Sequence, residues 1–202
     1  MGKSVQFLML FLIVCMGFSA NLAFGHGLGG EMHPPVTIGG RDATLSIDVS
    51  PSTFDPGDPE NFITLKLFDS NTEAIIEHVT FILELKKDGD SIFRYMFHDE
   101  LGNLNFRVIS NDSGNIEIQG IQEPLLGGWM SENDQTLTLT GPIFTSGGLY
   151  EYKVEVLTVD SDDKILDERV VLEGAISLAD VKSFEATDSE NQSHSVQIIS
   201  YF

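Results

Sequence analysis

Cysteine is nearly absent, with Cys15 the only one in 202 residues. No intrachain disulfide can form, so burial and hydrogen bonding must hold the fold. With 42% hydrophobic residues that is feasible, because a domain of this size buries about 70% of its unfolded surface. Positive charge is also scarce. Eleven Lys and Arg stand against 31 Asp and Glu, a formal net charge of -20. Such a chain repels nucleic acid and anionic membranes and attracts cations and basic partners. The acidic residues are scattered, which describes a solvated surface rather than an acidic tail. Catalytic signatures are missing as well. There is no G-x-S-x-G elbow, no H-E-x-x-H, no phosphate-binding loop and no cysteine beyond residue 15. The expectation is a protein that binds or builds rather than an enzyme.

What is present begins with an address. Lys3 precedes an uncharged run whose core is FLMLFLIVCMGFSA, followed by small residues. This pattern is a secretory signal. A cut after Gly25 places Ala23 and Gly25 at the two positions that must be small, whereas a cut after Ala20 places Phe18 there. Left uncut, the run is long enough to cross a bilayer as a hydrophobic helix. Lipidation at Cys15 is disfavoured by the bulky Val14 before it. Residues 1–25 are therefore a signal peptide or an uncleaved anchor, and the anchor is the only expected membrane contact. The folded part belongs outside the cytoplasm, with other surface or extracellular proteins as its partners.

Beyond Pro35 no long amphipathic helix is legible, and the hydrophobic period is two. Leu45, Ile47 and Val49 alternate with polar residues, as do Ile63, Leu65 and Leu67. Val79, Phe81, Leu83 and Leu85 share one side of a longer run. Asp88-Gly89 then turns the chain into IFRYMFHD. A three-residue loop there would pair positions whose numbers sum to 178, setting His78 opposite Glu100 with His98 diagonal to it on the same face. Shorter strands are expected at LNFRVI, NIEIQG and QTLTLTG. GGLYEYKVEVLTVD, KILDERVVLEG and SVQIISYF read as further strands, SLADVKSFEA as a patch of helix, and QEPLLGGWMSEND as a loop exposing Trp129. About eight to ten short strands separated by turns predict an antiparallel β-sandwich over 44–202, after a Gly/Pro-rich arm at 26–43.

Two resemblances sharpen this. GPIFTSGGLYEYKVEVLTVD resembles the tyrosine corner of immunoglobulin-like domains, with Tyr150 hydrogen-bonding back across the corner. More broadly, the start His26–Gly29, the turn Phe97–Gly102 and the aromatic end Val196–Phe202 resemble a domain of secreted surface proteins in ammonia-oxidising archaea. That likeness implies a cell-surface location and a sandwich fold, and no chemistry.

Two metal chemistries are open. If His26 leads the mature chain, its amine and imidazole offer two nitrogens, and a second imidazole would complete a copper site. His33, with Met32 beside it, is the nearest partner, and His78 and His98 are the others. A glycine-rich start equally accommodates a histidine that binds nothing. The second chemistry is calcium. Asp55, Asp58 and Glu60 lie in DPGDPEN, and Asp160, Asp162 and Asp163 in DSDD. Oxygen-rich loops between strands can hold Ca²⁺ and stabilise an adhesin, although neither stretch has EF-hand spacing. Asn111-Asp-Ser and Asn191-Gln-Ser fit the glycosylation triplet and mark surface loops.

Overall fold

A computed structural model describes residues 28–112, 114–123, 127–131, 135–187 and 193–200, with the backbone alone described for 182–187 and 193–200. The leader, Cys15 and His26 lie outside these residues. In chain order the strands begin with β1 (Gly30–Met32), β2 (Val36–Ile38), β3 (Arg41–Ser50), β4 (Thr53–Phe54) and β5 (Glu60–Asp69). Then come β6 (Val79–Lys87), β7 (Asp90–Asp99), β8 (Asn103–Ser110), β9 (Glu117–Gln119) and β10 (Ile121–Gln122). The remainder are β11 (Trp129–Ser131), β12 (Leu137–Gly141), β13 (Gly148–Thr158), β14 (Ile165–Thr187) and β15 (Ser193–Ser200).

The fold is all-β and sandwich-like. Among the described residues one sheet runs β1-β3-β5-β8-β12-β9, with β2 also on β3. The other runs β10-β11-β7-β6-β13-β14-β15, with β4 on β14. The expectation of a purely antiparallel fold needs correction, because both sheets are mixed. β12 lies parallel to β8, β11 parallel to β7, and β4 parallel to β14. In each case a short strand reaches the edge of a distant strand after a crossover, which hairpin-based reading does not foresee. Among the described residues no helix is long and apolar enough to cross a membrane.

The period-two pattern determines which face goes inward. Leu45, Ile47, Ile63, Leu65 and Leu67 are buried from one sheet, and Val79, Phe81, Leu83 and Leu85 from the other. Phe97 of β7 meets Phe106 of β8 edge-to-face between the sheets, with ring centroids 4.7 Å apart. Such a pair contributes about 0.5–1.5 kcal/mol beyond its burial.

The β6–β7 register follows the expected sum. Val79 pairs with Asp99, Thr80 with His98 and Leu85 with Phe93. The loop is shorter than expected, however. Lys87 faces Asp90 across a two-residue turn, and a bulge after Leu85 restores the register. Asp88 and Gly89 both take positive φ, 54° and 87°, the geometry of the tight Asp-Gly hairpin turn. SLADVKSFEA is not helical, because it lies within β14, paired with β13 at Ser177 and Leu178 and with β15 from Asp180 onward. Trp129 is not exposed in a loop. It is half-buried in β11, opposite Phe97, and packs on the core. The Tyr150 hydroxyl donates to the Ser146 carbonyl at 2.7 Å.

The turn after β7 is held by buried Asp99, whose Oδ1 accepts from the N–H groups of Leu101 (3.0 Å) and Asn103 (2.9 Å). Gly102 closes this turn at φ 69°, and an added Cβ would lie 1.8 Å from the Ile76 carbonyl oxygen. Both facts fix the end of β7, and with it His98.

Truncating the inter-sheet ring tests the packing. Phe97→Ala should lower the unfolding free energy by about 3–5 kcal/mol. Urea denaturation should show an earlier midpoint at unchanged slope, and an unshifted midpoint would contradict the assigned core.

Candidate metal centre

The outer face of the second sheet carries side chains that β6 and β7 do not bury, among them Thr80 on one strand and Arg94, Met96 and His98 on the other. Where β7 ends, β6 begins and β13 ends, three separate segments converge. His98 comes from β7, His78 from the loop entering β6, and Asp162 from the turn between β13 and β14. One donor atom from each lies within 4.8 Å of the other two. His78 Nδ1 is 3.1 Å and His98 Nε2 3.4 Å from Asp162 Oδ1. A tetrahedral ion about 2.1 Å from each donor would separate them by about 3.4 Å, so little movement is needed. Among the described residues no other group of three or more His, Cys, Asp or Glu comes together this way.

The supporting contacts are specific. His98 Nδ1 sits 3.0 Å from the Thr80 hydroxyl, directly across the ladder. With Nδ1–H donating to that oxygen, the Nε2 lone pair points at Asp162, the arrangement a metal-bound imidazole requires. Thr80 is itself held. Its N–H donates to Thr158 Oγ1 at 3.1 Å, and the two hydroxyls are 2.7 Å apart. A bulge in β13 between Val156 and Thr158 brings Thr158 opposite Thr80, and bulges of this kind re-aim side chains near functional sites. His78 adopts a positive φ of 52°, and its N–H donates to the Glu100 carbonyl at 2.9 Å. His98 is the deepest of the three, with 12% of its side chain exposed, while His78 and Asp162 form the rim.

The other predicted ligands go elsewhere. His33 is committed to a second cluster at the far end of β13. The Tyr152 hydroxyl donates to Glu31 Oε2 at 2.9 Å and lies 2.7 Å from His33 Nε2. The Ala175 N–H donates to the same Glu31 oxygen at 2.9 Å. Gly174 makes room, since a Cβ there would lie 2.2 Å from Glu31 Oε2. This cluster ties β1 to the opposite sheet. Tyr152 opposes Leu85 whereas Thr158 opposes Thr80, so His33 is about 20 Å from His98 along β13. Burial holds the His33 pKa below its usual value, with Glu31 pulling the other way. Burial first, then Glu31, pushes the Tyr152 hydroxyl far above the ordinary phenol range.

Of the calcium candidates, only Asp162 joins a cluster. Asp160 pairs with Arg41. Asp55 Oδ1 accepts the Gly57 N–H at 2.8 Å, within its own turn. Glu60 pairs with Arg107 at 2.5 Å, and this bond lowers its pKa. Asp58 and Asp163 enter no group of donors among the described residues. The sequence thus placed His78 and His98 in one candidate set and Asp162 in another, and folding joins members of both.

The His33 shift has a defined sign. The unfolded chain takes up a proton near pH 6.5 and the folded chain only at lower pH, so stability falls as pH drops below about 6.5. Urea unfolding at pH 7.5 and 5.5 should show a smaller loss for His33→Gln than for the wild type, and equal losses would contradict the assignment. No protein family model, curated protein or solved structure matches the chain, so donor geometry rather than kinship carries the functional reading.

Proposed function

We propose that the protein is an exported β-sandwich module that binds a transition-metal ion through His78, His98 and Asp162. The observation that carries this reading is the convergence of two imidazoles and a carboxylate from three segments, with His98 Nδ1 already engaged by Thr80. Two nitrogens and one oxygen suit zinc or copper, whereas Ca²⁺ takes six to eight oxygens. The acidic surface favours cations at long range. Export is supported by the leader at 1–25, and cell-surface residence by the resemblance to archaeal surface domains. The Tyr150 corner bond supports an immunoglobulin-like class for the sandwich. The role is binding or delivery at the cell exterior rather than turnover, with other extracellular proteins as partners. Of the copper candidates read from the sequence, this reading takes His78 and His98 and adds Asp162.

Titration calorimetry with Zn(II) and Cu(II) tests this, with His26→Ala as the reference that removes any N-terminal amine-imidazole site. The reference should bind one equivalent. Adding His98→Ala or Asp162→Asn should weaken that binding by about tenfold or more, with unchanged circular dichroism. Unaltered titrations in both variants would overturn the proposal.

A further inference from the structure

Beside His98 the sheet opens into a cavity of about 190 Å3, whose walls include Met96, Met130, His98 and Asp162. The two methionines stand in fixed relation to the deep imidazole. Met96 precedes His98 by two residues on β7, so both project from the outer face. Met130 is the direct register partner of His98 in the parallel β11–β7 pairing. Paired strands lie about 4.8 Å apart and alternate residues about 6.6 Å apart. A methionine side chain, with three rotatable bonds, spans such distances. Neither methionine belongs to the buried core between the sheets.

From this we infer that the centre is selective for copper and holds it as Cu(I), with the Met96 and Met130 thioethers joining His98 as ligands. This rests on the metal-binding reading above and names the ion and its oxidation state. A thioether is a neutral, soft donor. It contributes little to Zn(II) or to hard cations, but it is a good ligand for Cu(I). Two sulfurs and one imidazole are uncharged donors that suit a monovalent ion, while the Glu123 and Asp162 side chains, which also line the cavity, add negative charge around it. The rim donors His78 and Asp162 instead suit a divalent ion. The site therefore offers two overlapping ligand sets around one imidazole: a nitrogen-oxygen set at the mouth and a sulfur-nitrogen set within the cavity. Copper delivered in either state would find ligands, with the reduced ion seated deeper.

The test is anaerobic Cu(I) competition against bicinchoninate, run beside Zn(II) titration on the same full-length proteins. Met96→Leu/Met130→Leu preserves volume, so the sheet edge should stay folded, and circular dichroism checks it. The inference predicts a Cu(I) affinity lower by about tenfold or more in this double variant. Zn(II) affinity should be unchanged. Copper X-ray absorption should show Cu–S scattering in the wild type that the double variant loses. Undiminished Cu(I) affinity in the double variant, or wild-type spectra without sulfur scattering, would overturn the inference while Zn(II) binding upholds the metal site. If His98→Ala leaves both Zn(II) and Cu(I) affinities unaltered, the metal site itself is refuted and the inference with it.

Discussion

Phe81 lies opposite Phe97, and one residue along each strand Thr80 lies opposite His98. That register is the constraint on which the rest depends. The phenylalanines are buried between the sheets, and burial of two such rings is worth several kcal/mol. A slip by one residue would expose both and turn His98 inward. The core therefore enforces the outward direction of Met96 and His98. Turn chemistry pins both ends of the pairing, the Asp88–Gly89 hairpin at one and the Asp99–Gly102 turn at the other.

Onto this frame the remaining parts attach through local irregularities. The β13 bulge sets Thr158 against Thr80, which steadies the His98 ring. His78 leaves the ladder in a left-handed conformation just before β6 begins, and so escapes the alternation that would otherwise set its direction. The sharp turn out of β13 carries Asp162 over the same edge, with Asp160 anchored by Arg41. At the opposite end of β13, Glu31, His33 and Tyr152 bind the first strand across the sandwich. The two histidine clusters thus do different work. One is shielded and fastens the arm, and the other stands at an open edge with a carboxylate between two rings.

Much of the core was legible from alternation alone. Leu45, Ile47, Ile63, Leu65, Phe81 and Leu83 are all buried as their spacing predicts, because period two has one inward face. The sum-178 register was legible too, although it survives through a bulge that no residue announces. The parallel pairings were not. They join strands far apart in sequence, and Met130 reaches His98 only through one of them. SLADVKSFEA has a local composition that suits a helix, whereas strand partners distant in sequence, β13 at its first two residues and β15 from Asp180 onward, hold it extended. For the site, His78 and His98 could be named, and their shared hairpin supplied the reason. Asp162 could be named only as a calcium candidate in its own turn, since nothing local ties it to the two histidines. Met96, two residues before His98 on an alternating strand, shares its face, and that spacing is visible in the sequence.

The most direct test of the central claim is an anomalous-difference map from crystals grown with one equivalent of copper and measured at the copper edge. The account predicts one dominant peak at the β6–β7–β11 edge, within coordination distance of His98 Nε2 and bordered by Asp162. A dominant peak at the chain's start or beside His33, or no peak near His98, would contradict it.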